Sequence, residues 1–525
     1  MRLNDPRLWA AAAAAALPSL LAWNVSPSPT FLNQALALAL WGAFVAVVAP
    51  DATARERLPP EVQQALHQAG VPDDALAAVA LPLQPWAWPW RWRDGVPMQP
   101  GSAMKLVTTV VALDRLGPNH RGHTELRSTA PVQAGVLRGD LVLQGGADPE
   151  LGVPQFWALL LDLRQAGVHT IEGRLLVDRS LFRPARPDLG LPPFDEAPEF
   201  PYNVIPDALH LAGSLLPLEL RAEGGGVHAS TVPPLDGIEF SSRMALTDTP
   251  CADWSHGWQP ARVGREADRT HIELQGAFPK DCTHRVALQL VDRQELTERL
   301  FRTLWRNLGG TWDGAAVEAA APAGTRVLAR RESRPWGELL RPMNKASDNP
   351  LSRLLYLSLG LAGMAGDPQA STAELAGREV QRWFAEHDIP TAGLVLDNGS
   401  GLSRSERITP LQMALMLKAA WHGRHAPELL TSLPVAGIDG TLRKRLQDSP
   451  AAGSARLKTG TLGNVVALAG YVHDADGRHW AVAMMVNHEN AGQARPVLDA
   501  LVDAIARHGP HGTARAVPGP QGDGP

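Results

Sequence analysis

Three short stretches of this chain hold side chains that together could break an acyl bond. The first is Ser102-Ala103-Met104-Lys105, which follows Pro100-Gly101 and runs into the apolar stretch Leu106 to Leu113. A Pro-Gly pair, a Ser and then an apolar run is the order in which helices start, so Ser102 is expected near a helix N-terminus. Lys105, three residues on, shares its face. A serine hydroxyl is a weak nucleophile until a neighbouring base takes its proton, and a buried lysine with a lowered pKa can do so. A helix N-terminus adds partial positive charge where an acyl oxyanion would develop.

Taken alone, Ser-x-x-Lys is weak and more often marks a capping serine followed by a solvated lysine. Composition sharpens the reading. Of the 49 basic residues only six are lysine, at Lys105, Lys280, Lys345, Lys418, Lys444 and Lys458, and the rest are arginine, which keeps its proton and cannot act as a base. Lys280, Lys418 and Lys444 read as surface residues. The second stretch is Ser347-Asp348-Asn349, inside a polar turn over 342–350 that enters a helix over 351–361. The third is Lys458-Thr459-Gly460-Thr461, which leads into a strand over 465–472. Helix start, inter-helix loop and terminal hairpin, in that order, point to one shared acyl-transfer site.

The elements that must position these residues divide the chain. Residues 59–123 form a first part, with a short helix over 60–75 and strand character from Ala77 to Asp94. Trp86, Trp88, Trp90 and Trp92 recur with period two and share a strand face, read as packing, while Pro85 and Pro89 demote that strand to an edge. Residues 124–322 alternate in short runs punctuated by Gly and Pro, the texture of inserted, mostly β subdomains, with helices near 156–166 and 296–308. Residues 323–508 return to helices, near 371–387 and 410–423, then a hairpin and a closing helix over 493–507. The Gly/Pro-rich residues 509–525 read as a disordered tail.

With 525 residues, 45% of them hydrophobic, the chain has material for a sizeable core. A net charge of −5 argues against nucleic acid as a partner. His120 and His123 have ligand-like spacing but no Cys or carboxylate cluster beside them, and read as a surface turn rather than a metal site. Residues 1–58 contain two apolar runs, Leu8 to Trp23 and Phe31 to Ala49, the second without charge and long enough to cross a bilayer. They read as an export signal or a membrane anchor, and either places the body of the protein outside the cytoplasm, in a periplasmic or other extracytoplasmic space. Cys251 and Cys282 form one disulfide there or remain two thiols.

The three motifs, together with Gly139-Asp140-Leu141-Val142-Leu143-Gln144-Gly145-Gly146, Asn398-Gly399-Ser400-Gly401-Leu402-Ser403-Arg404 and Leu433-Pro434-Val435-Ala436-Gly437-Ile438-Asp439-Gly440-Thr441-Leu442, carry a resemblance. Over about 60 to 508 the chain resembles the D-alanyl-D-alanine carboxypeptidase/endopeptidases of the penicillin-binding protein 4 type, the class C low-molecular-mass penicillin-binding proteins. The roughly 240 residues between Lys105 and Ser347 are a trait of that group. The resemblance implies an α+β penicillin-binding, transpeptidase-like fold: an antiparallel sheet flanked by helices, a helical subdomain, and the β-rich insert. It implies a serine peptidase acting on peptidoglycan stem peptides, acylated by β-lactams, with no cofactor and no metal. Ser102 would be the nucleophile and Lys105 its base. Ser347 would relay a proton to the leaving D-alanine, Asn349 would orient substrate and Lys105, and Lys458 would supply positive potential. Thr459 and Thr461, on either side of Gly460 in the substrate-binding stretch, would hold the substrate's terminal carboxylate, with the N–H groups of Ser102 and Thr461 as oxyanion hole. Asp178, opening Asp178-Arg179-Ser180-Leu181-Phe182, would meet an amine of the stem peptide. A β-lactamase or esterase on the same scaffold, and a silent peptidoglycan-binding protein, are the alternatives.

Overall fold

The structure is a computed structural model that describes residues 57–85 and 87–511. The apolar runs 1–58 and the tail beyond 511, on which the export, anchor and disorder expectations rest, lie outside the described residues apart from 57, 58 and 509–511. Trp86 also lies outside them. No helix among the described residues is long and apolar enough to cross a membrane.

The elements that frame the site are, in chain order, α1 (Pro60–Gln68), β1 (Leu76–Pro82), β2 (Trp90–Trp92), α2 (Lys105–Arg115), α3 (Trp336–Ala346), α4 (Asn349–Gly360), α5 (Thr372–Glu386), α6 (Pro410–His422), β3 (Arg456–Leu462), β4 (Val465–His473), β5 (His479–Asn487) and α7 (Arg495–His508). The five strands form one antiparallel sheet in the order β3-β4-β5-β1-β2. Side chains on a strand point alternately to its two faces, and here both faces are covered. Val79, Ala469, Ala483 and Met485 face a core shared with α2, α4, α5 and α6. Ala78, Leu468, Val482 and Met484 face a second core shared with Val62 and Leu66 of α1 and Leu498 and Leu501 of α7. Fully buried strands read as continuous apolar runs, as these do.

The tryptophan row splits. Only Trp90–Trp92 is a strand, the edge that pairs with β1, and Trp90 is buried in the second core with Trp92 packed against it. Trp88 is 49% exposed, because Pro89 keeps its segment off the sheet. The packing reading therefore holds for Trp90 and Trp92. The polar turn at 342–350 is narrower than expected: α3 runs through Pro342 to Ala346, because Leu339, Leu340 and Met343 bury one face of it. The first helix stops at Gln68, short of 75.

Between α2 and α3, His123–Ser128 and Arg326–Glu332 pair antiparallel, so the chain leaves and returns at one sheet. That sheet continues through Leu141–Gly146, Leu175–Asp178 and Ala316–Glu318. Smaller sheets and the helices Val153–Gln165 and Arg293–Asn307 share a separate apolar core with it. Cys251 and Cys282 form a disulfide here, with Cα atoms 5.4 Å apart. His120 and His123 sit beside the Arg330 strand, and no cluster of potential metal ligands occurs among the described residues.

Candidate active site

Ser102 lies in a single 3-10 turn, Gly101–Met104, that leads directly into α2. Lys105 is the first residue of α2 and is completely buried, with its Nζ 3.0 Å from Ser102 Oγ. The same Nζ donates to Asn349 Oδ1 at 2.6 Å and to the Ser400 carbonyl at 2.5 Å. Two amide-type oxygens and one hydroxyl therefore surround the amine.

Ser347 joins α3 to α4. It takes a left-handed conformation (φ 61°, ψ 40°), which ends α3, and Asp348 then caps α4 by accepting from Leu351 N at 2.9 Å. Such backbone is uncommon for a non-glycine residue and is often found at functional sites. It brings Ser347 Oγ to 2.9 Å from Lys458 Nζ, which also donates to the Thr459 carbonyl. Asn349, the first residue of α4, uses its amide twice: Oδ1 accepts from Lys105, and Nδ2 donates to the Tyr202 carbonyl of the insert at 3.0 Å.

β3 presses against the Ser102 turn. A Cβ on Gly460 would lie 2.1 Å from the Pro100 carbonyl oxygen, so only glycine permits the approach. Thr459 Oγ1 donates to Thr441 Oγ1 at 2.8 Å, and Thr461 is exposed. Ser102, Ser347 and Thr461 thus reach solvent while Lys105 and Lys458 lie beneath them. The structure brings Ser102, Lys105 and Asn349 into one hydrogen-bonded group, joins Ser347 to Lys458, and lays β3 beside both.

A family model described as the D-Ala-D-Ala carboxypeptidase 3 (S13) family matches residues 58–508. The chain belongs to that family. It is 31% identical over 452 residues to a D-alanyl-D-alanine carboxypeptidase of an Actinomadura species (82% of this chain, 81% of the relative). It is 26% identical over 405 residues to the D-alanyl-D-alanine carboxypeptidase DacB of Haemophilus influenzae (75% and 81%). The fold matches the crystal structure of penicillin-binding protein 4 from Haemophilus influenzae with a TM-score of 0.68 and 23% identity, covering 82% of this chain and 93% of that one. A second structure of that protein, in complex with a β-lactam, matches with a TM-score of 0.66 and 22% identity over 85% and 100%. The mixed α/β penicillin-binding fold expected from the motifs is the one observed.

A D-Ala-D-Ala carboxypeptidase needs a serine deprotonated near neutral pH, and the electrostatics supply the means. Burial first, and then the Lys458 ammonium, hold the Lys105 pKa well below that of a free lysine; Glu406 and Asp348 pull it partly back, and Arg353 lowers it again. Burial pushes Lys458 itself down to about 7. An amine held neutral keeps a lone pair, and here two carbonyl oxygens already take two N–H bonds, which leaves Ser102 facing that lone pair.

Asp178 is held by residues of the insert. It ends an insert strand, and its carboxylate accepts from Ser180 N (2.9 Å), Ser180 Oγ (2.6 Å), Gln144 Nε2 (2.7 Å) and Ala321 N (3.0 Å). Both oxygens are already occupied by its own chain.

Four participants escaped the sequence reading. The Ser400 carbonyl and Thr441 lie within stretches that carry the family resemblance and the Tyr202 carbonyl lies in the insert, but no side-chain motif announces a backbone oxygen. Glu406 is the fourth. The structure shows why glycine stands at 401: it has φ 84°, and a Cβ there would lie 1.9 Å from the Gly101 carbonyl oxygen. Glycine at 401 lets the loop touch the turn that carries Ser102.

Proposed function

We propose that this protein is a serine D-alanyl-D-alanine carboxypeptidase with endopeptidase capacity, working on peptidoglycan stem peptides outside the cytoplasm through an acyl-enzyme on Ser102. The observation that carries the reading is the contact of a wholly buried lysine amine with Ser102 Oγ, flanked by Asn349 and the Ser400 carbonyl.

Neutral Lys105 takes the Ser102 proton as Oγ attacks the carbonyl carbon of the penultimate D-alanine, and the negative charge on the carbonyl oxygen is met by the Ser102 and Thr461 N–H groups. Collapse expels the terminal D-alanine amine, which receives its proton through Ser347, hydrogen-bonded to Lys458. Water then hydrolyses the ester by the reverse proton path. Lys458, with Thr459 and Thr461, holds the terminal carboxylate of the substrate. A β-lactam presents a similar carbonyl and carboxylate and is trapped as a stable ester. The Cys251–Cys282 disulfide supports an oxidising compartment. Asp178, its carboxylate held in place by Ser180, Gln144 and Ala321, is the residue assigned to an amine of the stem peptide.

Fluorescent penicillin should label the protein and fail to label Ser102→Ala. The protein should release D-alanine from a monomeric pentapeptide and split cross-linked muropeptides at the D-alanine bond. Labelling that survives Ser102→Ala removes that residue from its role. A labelled protein that leaves both peptides intact points instead to a β-lactamase-like enzyme on this scaffold.

A further inference from the structure

Glu406 is completely buried, and its carboxylate is spent on one short loop. Oε1 accepts from the backbone N–H groups of Gly399 (2.8 Å), Asn398 (3.1 Å) and Asp397 (3.4 Å), and Oε2 accepts from Gly401 N (3.0 Å). The residue in the middle of this cradle, Ser400, turns its carbonyl onto Lys105 Nζ. The loop is also held at the Gly399 carbonyl, which accepts from Thr108 Oγ1 at 2.7 Å and Ser352 Oγ at 2.9 Å. Gly401 packs against the backbone of the Ser102 turn.

We propose that Glu406 is a positioning residue of this site: its carboxylate fixes the 397–401 loop so that the Ser400 carbonyl holds the Lys105 amine with its lone pair toward Ser102. The inference rests on the acyl-transfer reading of Ser102 and Lys105 and extends it to a residue that touches neither. Burial raises the Glu406 pKa and Asp397 adds to that, while the backbone donors converging on its two oxygens favour the ionised form. The negative charge then acts on Lys105 through a low-dielectric interior. The groups facing Lys105 are Lys458, Glu406, Asp348 and Arg353; those facing Glu406 are Asp397, Arg353, Tyr356 and Lys105. Among them Glu406 favours the ammonium form of Lys105, against burial, Lys458 and Arg353. The carboxylate therefore has two separable effects, one on where the amine points and one on how readily it is protonated.

The test is the second-order rate of acylation by a chromogenic cephalosporin, followed from about pH 5 to about pH 9. Glu406→Gln turns an NH2 group toward backbone donors and removes the charge. The plateau rate should fall at least about tenfold, and the acid limb, which reports protonation of Lys105, should move to lower pH. Glu406→Asp keeps the charge but withdraws the oxygens, so its plateau should fall with the acid limb in place. Ser352→Ala, which loosens the same loop and leaves the carboxylate, should lower the plateau a few-fold, also without moving the limb. A Glu406→Gln profile that superposes on the parent overturns the proposal. Should that variant fail to fold, an undiminished plateau in Glu406→Asp overturns it equally. A parent protein that is not acylated at all refutes the acyl-transfer reading itself, a result distinct from either.

Discussion

Lys458 Nζ donates to Ser347 Oγ at 2.9 Å, joining the third motif, on the edge strand β3, to the helix junction across 111 residues of chain. The lysine is fully buried, while its hydroxyl partner Ser347 is half-buried. Lys458, proposed to hold the substrate carboxylate, is itself a titrating group.

Burial sets the Lys458 pKa at about 7, so the ammonium form gives way as pH rises through that value. A bound carboxylate favours the charged form. KM for a carboxylate-terminated peptide is therefore expected to rise above about pH 7, while a substrate whose terminal carboxylate is amidated shows little such dependence. Steady-state kinetics on the two peptides checks this; parallel profiles would remove Lys458 from carboxylate binding. Stability has the matching sign. Between about pH 7 and the ordinary lysine value near 10.4 the unfolded chain binds more protons than the folded one, so stability rises with pH. Lys458→Met should accordingly exceed the parent in denaturant midpoint most at low pH, with the gap narrowing through that window.

Asn349→Asp retains size and replaces the amide nitrogen by oxygen. The new carboxylate beside Lys105 favours the ammonium form, and an oxygen now faces the Tyr202 carbonyl where Nδ2 donated. Acylation at neutral pH should fall by about a hundredfold or more, with the acid limb displaced to higher pH. Stopped-flow penicillin acylation reads both. A loss of rate with the limb unmoved would mean that Asn349 acts on substrate alone.

How far the sequence carried this site depends on whether side chains or backbone do the work. Ser102, Lys105, Ser347, Asn349 and Lys458 were named from motif order, and the structure joins them in two hydrogen-bonded groups, Ser102 with Lys105 and Asn349, and Ser347 with Lys458. The five-stranded sheet was legible at its hairpin because β4 and β5 are continuous apolar runs around a turn at Asp474. The N-terminal half of the sheet was harder, since Pro85 and Pro89 blurred β1 and β2 into one strand. Helix α3 was partly missed because Pro342 reads as a terminator, while burial of Leu339 and Met343 overrode it. Backbone donors and acceptors, such as the carbonyls of Ser400 and Tyr202, leave no residue-type signature at all. Glu406 stands beside Arg407 in a polar stretch, and nothing in its residue type announces its complete burial.

The disulfide separates insert stability from catalysis. Cys251 and Cys282 are 31 residues apart, and both belong to the apolar core of the insert rather than to the cores around the central sheet. Closing a loop of that length removes about 3–4 kcal/mol of unfolded-chain entropy. Replacing both cysteines by serine should therefore lower the urea stability of the insert by a few kcal/mol and leave the penicillin acylation rate of the folded protein within about twofold. A large loss of acylation in a folded double variant would show that the insert core governs the site.

Gly401→Ala tests the contact between the Glu406 loop and the nucleophile turn from the other side. The new Cβ would lie 1.9 Å from the Gly101 carbonyl oxygen, and the residue has φ 84°, which alanine adopts only under strain. Two backbones cannot both stay in place, and the one that yields either lifts the Ser400 carbonyl from Lys105 or displaces Ser102. Both outcomes misplace the attacking oxygen relative to its base, and a shift of about 1 Å there costs on the order of a hundredfold. Acylation should fall by at least that factor while circular dichroism stays near the parent, because the apolar cores on either side of the sheet do not include this loop. An alanine variant with parental acylation kinetics would mean that the loop and the Ser102 turn can part without consequence, and that Lys105 is held by Asn349 alone.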